Sequence, residues 1–258
     1  PVVAFGYWVE TLDKWAQEGH ISLEDAQGYR REGDGGAADR RIMDALGFDF
    51  NWNSCPGANT GLYPAFETEV LEECPDGSRV IRVNDNIVSI PAEIGTSLKD
   101  REAWEKLYLP KLQYSEERIN RALFERLKRE DAARDLPMGL HLGSLYGNIR
   151  NMLGVEELAY LAVDDEDLYV EIIDTVGNLC YRLAERILEY GIRFEYAHFW
   201  EDICFKNGPL VRPEVFDELV GKHYRRLTEL VNRHGIDIVS VDCDGCIDLL
   251  VPVWLKNG

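Results

Sequence analysis

The 258-residue chain carries 47 acidic against 28 basic residues, a formal net charge of −19 at pH 7. That field repels nucleic acid and anionic membrane surfaces, which removes both from the expected partners. Six cysteines in so long a chain make no disulfide framework, no apolar run reaches the roughly 18 residues of a membrane span, and no signal-peptide pattern opens the chain.

These features lead to the expectation of a cytoplasmic chain with reduced thiols and one domain over residues 1–258 with a substantial core. Residues 1–6 form a short apolar run suited to a first strand. Thr11 is placed to cap a helix bearing Leu12, Trp15 and Ala16; Ser22 opens a second helix, and residues 39–46 form a third, closed by Gly47. Residues 48–61, rich in Asn, Gly and Pro, read as loop. The period then changes. Residues 66–73, 78–83 and 87–90 read as short strands separated by Asp76-Gly77 and Asn84-Asp85-Asn86, an antiparallel insertion over 66–90.

From Asp100 the pattern turns helical, over 101–109 and then from Ser115 to about residue 134. Leu136-Pro137 stops that helix before a strand at Met138. Helices follow at 145–153, 155–162 and 165–190, the last ending on Gly191. A strand at Ile192, a loop with Asn207-Gly208-Pro209, a helix over 213–234, a strand at Ile236 and a final helix to Lys256 complete the chain.

Strand and helix alternate through the second half, which predicts an α/β fold with a parallel sheet and right-handed crossovers. No strand is followed by a Gly-rich phosphate loop, since the Gly143 to Gly147 spacing does not match one. A (β/α)8 TIM barrel is therefore expected over a doubly wound sheet. Only four or five barrel strands can be counted, so the later ones are expected beyond residue 258.

Three apolar runs stop at ionisable residues: one at His141, one at His198 with Glu201 and Asp202 just after, and one at Asp242 and Asp244. Loops at the carboxyl ends of strands carry the site in such folds, so these six are the candidate catalytic residues. Asp242 and Asp244 leave an extended strand on one face, where two carboxylates can bind a cation or share a proton. The competing reading has Asp242 capping a helix and Asp244 turning the chain with Gly245. For the histidines it is a hydrogen-bonded core position, and for Glu201 and Asp202 a helix-start charge. Tyr7, Trp8, Trp52 and Tyr63 could line the mouth for a planar substrate or simply fill the rim. Cys243 and Cys246 form a CxxC without the thioredoxin or zinc-ribbon context that would give it a role.

Phe5-Gly-Tyr-Trp-Val-Glu-Thr-Leu-Asp-Lys-Trp15, Gly61-Leu-Tyr-Pro-Ala-Phe-Glu67, Trp200-Glu-Asp202, Gly208-Pro-Leu-Val-Arg-Pro-Glu214 and Val241-Asp-Cys-Asp-Gly245 together resemble the uroporphyrinogen decarboxylase-like superfamily. That resemblance implies a TIM barrel and either porphyrinogen decarboxylation or cobalamin-dependent methyl transfer. The decarboxylase's Arg-rich loop after the first strand is replaced here by Gly6-Tyr-Trp-Val-Glu10, which points to the methyltransferase branch. Its members would move a methyl group from a small O-, N- or S-methyl donor to a corrinoid on a partner protein. The zinc enzymes of that branch place His-x-Cys-Gly where this chain has Asp242-Cys243-Asp244-Gly245. Two carboxylates make a harder, weaker zinc site, so no tightly bound zinc is expected. A decarboxylase or lyase acting on a small carboxylate, or a non-catalytic small-molecule-binding barrel, are the alternatives.

Overall fold

The computed structural model describes residues 1–67, 69–73, 79–82, 93–94, 98 and 100–258. It begins with β1 (Val3–Ala4), which Gly6 ends by turning the backbone to φ 78°. Three helices follow: α1 (Val9–Gln17), α2 (Leu23–Glu32) and α3 (Ala37–Leu46). Trp8, not Thr11, occupies the N-cap of α1, whereas the Ser22 hydroxyl caps α2 and Gly47 closes α3 in the left-handed region. Leu12, Ile21, Ala26, Tyr29, Ala38 and Ile42 bury against one another as a small separate core.

β2 (Phe50–Asn51) pairs with β1 in parallel, inside a stretch expected to be loop. The expected insertion is present in part: β3 (Glu69–Glu73) and β4 (Arg79–Arg82) pair antiparallel with a bulge between Val70 and Glu72. β5 (Glu93–Ile94) joins β4 in parallel. The predicted strand at 87–90 and both predicted turns lie outside the described residues.

The expected helix at 101–109 is α4 (Arg101–Ala103), widened to a π-helical turn over Trp104–Tyr108 and tightened at Leu109–Leu112. The helix expected from Ser115 is broken into a short turn at Glu116–Arg118 and α5 (Arg121–Glu130), with Asn120 capping the second part. Arg118 accounts for the break. Its buried guanidinium donates to the carbonyls of Asn59, Gly61, Gln113 and Lys111, a tertiary demand that a continuous helix could not meet.

The remaining elements are β6 (Gly139–Gly143), α6 (Gly147–Leu153), α7 (Val155–Asp164), α8 (Glu166–Leu188), β7 (Tyr196–Trp200), the hairpin of β8 (Cys204–Phe205) and β9 (Gly208–Pro209), α9 (Pro213–Val215), α10 (Gly221–Arg233), β10 (Val239–Asp242) and α11 (Val251–Lys256). A π-helical turn at Phe216–Val220 joins α9 to α10. The strands expected at Ile192 and Ile236 start later, at Tyr196 and Val239; both Ile side chains are buried in the lead-ins.

β6, β7 and β10 form one parallel sheet in the order β10-β7-β6, with His141, His198 and Ser240 level across it. The strand–helix alternation thus reads correctly as a parallel α/β sheet. The TIM barrel needs correcting: among the described residues no closed barrel forms. β1 and β2 are two residues long and pair only with each other. Where another strand would approach β6, Pro56-Gly57 supplies one carbonyl to the His141 N–H and one isolated bridge. A proline has no N–H with which to extend a ladder.

Side chains alternate across the three-stranded sheet. Leu140, Leu142, Ala197 and Phe199 are buried in the main core together with residues of α8 and α10, and Val239 and Val241 pack against it. The opposite face presents Tyr196, His198 and Trp200 from β7, His141 from β6, and Ser240 and Asp242 from β10. The candidate site is built on that face. No helix among the described residues is long and apolar enough to cross a membrane.

Candidate active site

Trp52, just past β2, lies against the polar face of the sheet. Its ring stacks on Tyr196 at 4.0 Å, and its indole N–H donates to the Ser240 hydroxyl at 3.0 Å. Ser240 Oγ also lies 2.9 Å from His198 Nδ1 and 3.3 Å from the Ala197 carbonyl. His141 stands edge-on to His198 with ring centroids 5.8 Å apart, and its Nδ1 accepts the Gly143 N–H at 3.0 Å. Burial pushes both imidazoles down to a pKa of about 4, the neighbouring His141 adding to the effect at His198. Both rings are uncharged at neutral pH. Phe5 covers this group from outside, stacked on Trp52 at 6.3 Å while 51% exposed.

One step further along the strands stand three carboxylates. Asp202 follows β7 with a positive φ of 46°, which aims its side chain back at the sheet end. Its carboxylate accepts the Trp200 indole N–H at 3.2 Å and the Asp244 backbone N–H at 3.0 Å. Burial raises the pKa of Asp202, and the Asp244 charge adds to it. Asp242 is raised from 3.8 to about 6, by burial first and then by the charges of Asp202 and Asp244. A carboxyl in that range can hold a proton near neutral pH and give it up. Arg150 of α6 lies over the Trp200 ring at 5.6 Å, with its Nε buried and unpartnered among the described residues.

Glu201 points the other way, as strand alternation from Phe199 requires. It is fully buried, and its carboxylate accepts the backbone N–H groups of Leu145 at 2.9 Å, Tyr146 at 2.9 Å and Gly147 at 2.7 Å. The Ser144 hydroxyl at 3.0 Å and the Tyr224 hydroxyl complete the set. Glu201 therefore ties the end of β7 to the first turn of α6, where helix N–H groups lack partners of their own. Burial is the larger influence and raises its pKa, while the Tyr224 hydroxyl and the N–H groups of Gly147, Leu145 and Tyr146 pull it down.

The structure brings His141 with His198, and Asp202 with Asp242 and Asp244, while Glu201 lies on the helix side. Tyr7 packs edge-on against Trp15 and Tyr29 in the helical N-terminal core. Trp8 is 47% exposed at the start of α1. Tyr63 lies under the Arg118 guanidinium, 5.5 Å from its ring centroid. Cys243 accepts the Ile203 N–H at 3.4 Å, and both Cys243 and Cys246 are free thiols. Among the described residues no three His, Cys, Asp or Glu side chains meet in a way that could hold a metal ion. Ser240, Tyr196 and Arg150 belong to the site without having been expected. Counting back by two from Asp242 and His198 finds the first two, whereas nothing in the sequence around Arg150 singles it out.

No family model and no curated protein matches the chain. Among solved structures, its fold is similar to that of a methyltransferase from Methanosarcina mazei. The two are 14% identical with a TM-score of 0.51, over 100% of this chain and 68% of that one. At that identity the likeness is one of mixed α/β fold alone.

Proposed function

We propose that the chain is a methyltransferase that moves a methyl group from a small O-, N- or S-methyl donor to a corrinoid carried by a partner protein. The observation that carries this reading is the Asp242 carboxyl, held at about 6 beside Asp202 and Asp244 at the strand ends. The fold likeness to a methyltransferase supports it. When bound, a reduced corrinoid would supply the nucleophile for the methyl carbon. The chain's part is to improve the leaving group. As the bond from methyl carbon to heteroatom breaks, the electron pair stays on the heteroatom and Asp242 delivers its proton there. Asp202 and Asp244 keep that proton on Asp242 until it is needed, and solvent restores it afterwards.

The exposed ring of Phe5, backed by Trp52, is an aromatic surface against which a planar macrocycle would stack. Asp202, Asp242 and Asp244 offer a zinc ion neither imidazole nor thiolate, and among the described residues they do not group with a third ligand in a way that could hold it. A decarboxylase or lyase on a small carboxylate would need cationic side chains at the substrate. Arg150 feels the charge of Asp202, but Asp202, Asp242 and Asp244 together outweigh one guanidinium, and the balance disfavours an anion.

The test is methyl transfer to reduced cobalamin from a panel of O-, N- and S-methyl donors, followed by the absorbance change of the corrinoid. Wild type is expected to turn over at least one donor, and Asp242→Asn to lose about 100-fold or more of that rate while staying folded. Full activity in Asp242→Asn would remove Asp242 as the acid. Absence of transfer from every class of donor would remove the reading.

A further inference from the structure

Residues 201–205, which leave β7 and enter β8, run beside residues 242–246, which leave β10. At one end of this seam the Glu201 N–H donates to the Asp242 carbonyl at 2.9 Å, and at the other the Cys246 N–H donates to the Phe205 carbonyl at 2.9 Å. Between those two bonds lie two thiols. The Cys204 thiol donates a hydrogen bond to the Cys243 sulfur. Cys243 Sγ also accepts the Ile203 N–H at 3.4 Å and donates to the Asp244 carbonyl at 3.6 Å. The fit is close: a Cβ added to Gly245 would lie 2.5 Å from the Cys204 carbonyl oxygen. Backbones joined by hydrogen bonds lie about 5 Å apart, inside the Cα span of about 4.4–6.8 Å that a disulfide bridges.

The two thiols differ in access. Cys204 is 5% exposed, whereas Cys243 is half-buried beside the exposed Asp244 and Gly245. A small oxidant therefore reaches Cys243 first and leaves Cys204 to act from within. Burial holds both thiols above their ordinary pKa, Cys204 at about 12, and the charges of Asp202 and Glu201 add to the effect at Cys243. Thiolate is scarce at neutral pH, so reaction is slow there and speeds up as pH rises. Among the described residues no hydrogen bond links the Cys246 thiol to either sulfur, so Cys204 is the partner already in place.

We propose that Cys204 and Cys243 form a reversible disulfide by exchange with a small disulfide, a redox-sensitive staple beside Asp202, Asp242 and Asp244. Cys243, as thiolate, attacks one sulfur of the small disulfide. A mixed disulfide forms, the incoming S–S bond breaks, and its other half leaves as a thiolate that takes up a proton. Cys204 then gives up its proton and attacks the Cys243 sulfur; the Cys204–Cys243 bond forms and the second half leaves as a thiol. Two protein thiols are oxidised, and one external disulfide is reduced to two thiols. Where a compartment keeps thiols reduced, a transient disulfide of this kind is the form in which cysteines act as sensors. The surrounding carboxylates favour a cationic disulfide over an anionic one.

The test is made on the full, folded chain at pH 8 with cystamine, which is cationic, and with oxidised glutathione, which is anionic. Non-reducing digestion and mass spectrometry are expected to find the Cys204 and Cys243 peptides joined, two hydrogen atoms lighter than the free pair, and parted again by dithiothreitol. Cystamine should react at least about tenfold faster than oxidised glutathione. Cys246→Ser should form the same bond, and Cys204→Ser should stop at a cystamine adduct on Cys243. The wild-type peptide map assigns the pair by itself, so a variant that does not fold leaves the test intact. A Cys243–Cys246 bond in its place, a lasting adduct on wild-type Cys243, no reaction of Cys243, or glutathione reacting as fast as cystamine would each overturn the staple. No step of this measurement uses a corrinoid or a methyl donor, so it stands or falls apart from the methyltransferase reading.

Discussion

Replacing Glu201 by Ala removes the acceptor from five donors at once in a fully buried position. The Ser144 and Tyr224 hydroxyls can rotate toward other partners, but the N–H groups of Leu145, Tyr146 and Gly147 cannot. At about 1–3 kcal/mol for each buried donor left unpaired, those three alone set a range of roughly 3–9 kcal/mol. Water entering the vacated space lowers the figure, and a loss of about 4 kcal/mol is expected, in line with breaking other buried charged networks. For a chain of this size that is a drop of about 10 °C in Tm.

Glu201→Gln separates charge from shape. The Gln oxygen can replace Oε2 and keep Ser144, Tyr146 and Gly147, but its NH2 then faces the Leu145 N–H, at a cost of about 1–3 kcal/mol. Urea unfolding followed by tryptophan fluorescence reads both variants as a shift in midpoint at unchanged m. A loss below about 1 kcal/mol in Glu201→Ala would refute the anchoring role. An unchanged Glu201→Gln would show that burial had already protonated the carboxyl and that the five donors had lost.

Asp242 must hold a proton to act as the acid, so methyl transfer should be constant at low pH and fall as pH rises through about 6; a rate independent of pH from 5 to 8 would count against it. The same raised pKa contributes stability below the ordinary value of 3.8 that is lost as pH rises through about 6, and unfolding of wild type and Asp242→Asn at pH 4 and pH 8 should show the difference. Asp202→Ala removes the larger of the two charges acting on Asp242 and should move the falling limb of the rate profile to lower pH, without moving it in an Asp242→Asn background. Arg118→Lys loses the planar fork that reaches four carbonyls and should destabilise the chain by about 2–3 kcal/mol in urea unfolding.

The part of this protein most legible in its sequence is the part where one residue type answers to one local force. Gly47 and Gly191 end helices because both sit at positive φ, and Ser22 starts one because its hydroxyl reaches the Asp25 N–H. The three strand ends were legible for a related reason: apolar residues facing helices alternate with polar ones facing the site, and His141, His198 and Asp242 share that polar face. Glu201 shows where such reading stops. It is one residue past Trp200 and next to Asp202, and in a string of letters it belongs with them. The strand's period of two turns it to the helix side, where five donors from α6 and α10 and their approaches hold it. Those donors lie 23 and 54–57 residues away in the chain, so no local pattern could have assigned them. Arg118 broke a predicted helix in the same manner, through carbonyls as far away as Asn59. His141 and His198 sit between these cases: their rings could be placed on one face from the strands alone, but the Ser240 hydroxyl beside His198 is also held by Trp52, 188 residues away. Local chemistry located the groups at this site, and long-range contacts decided which of them are free to react.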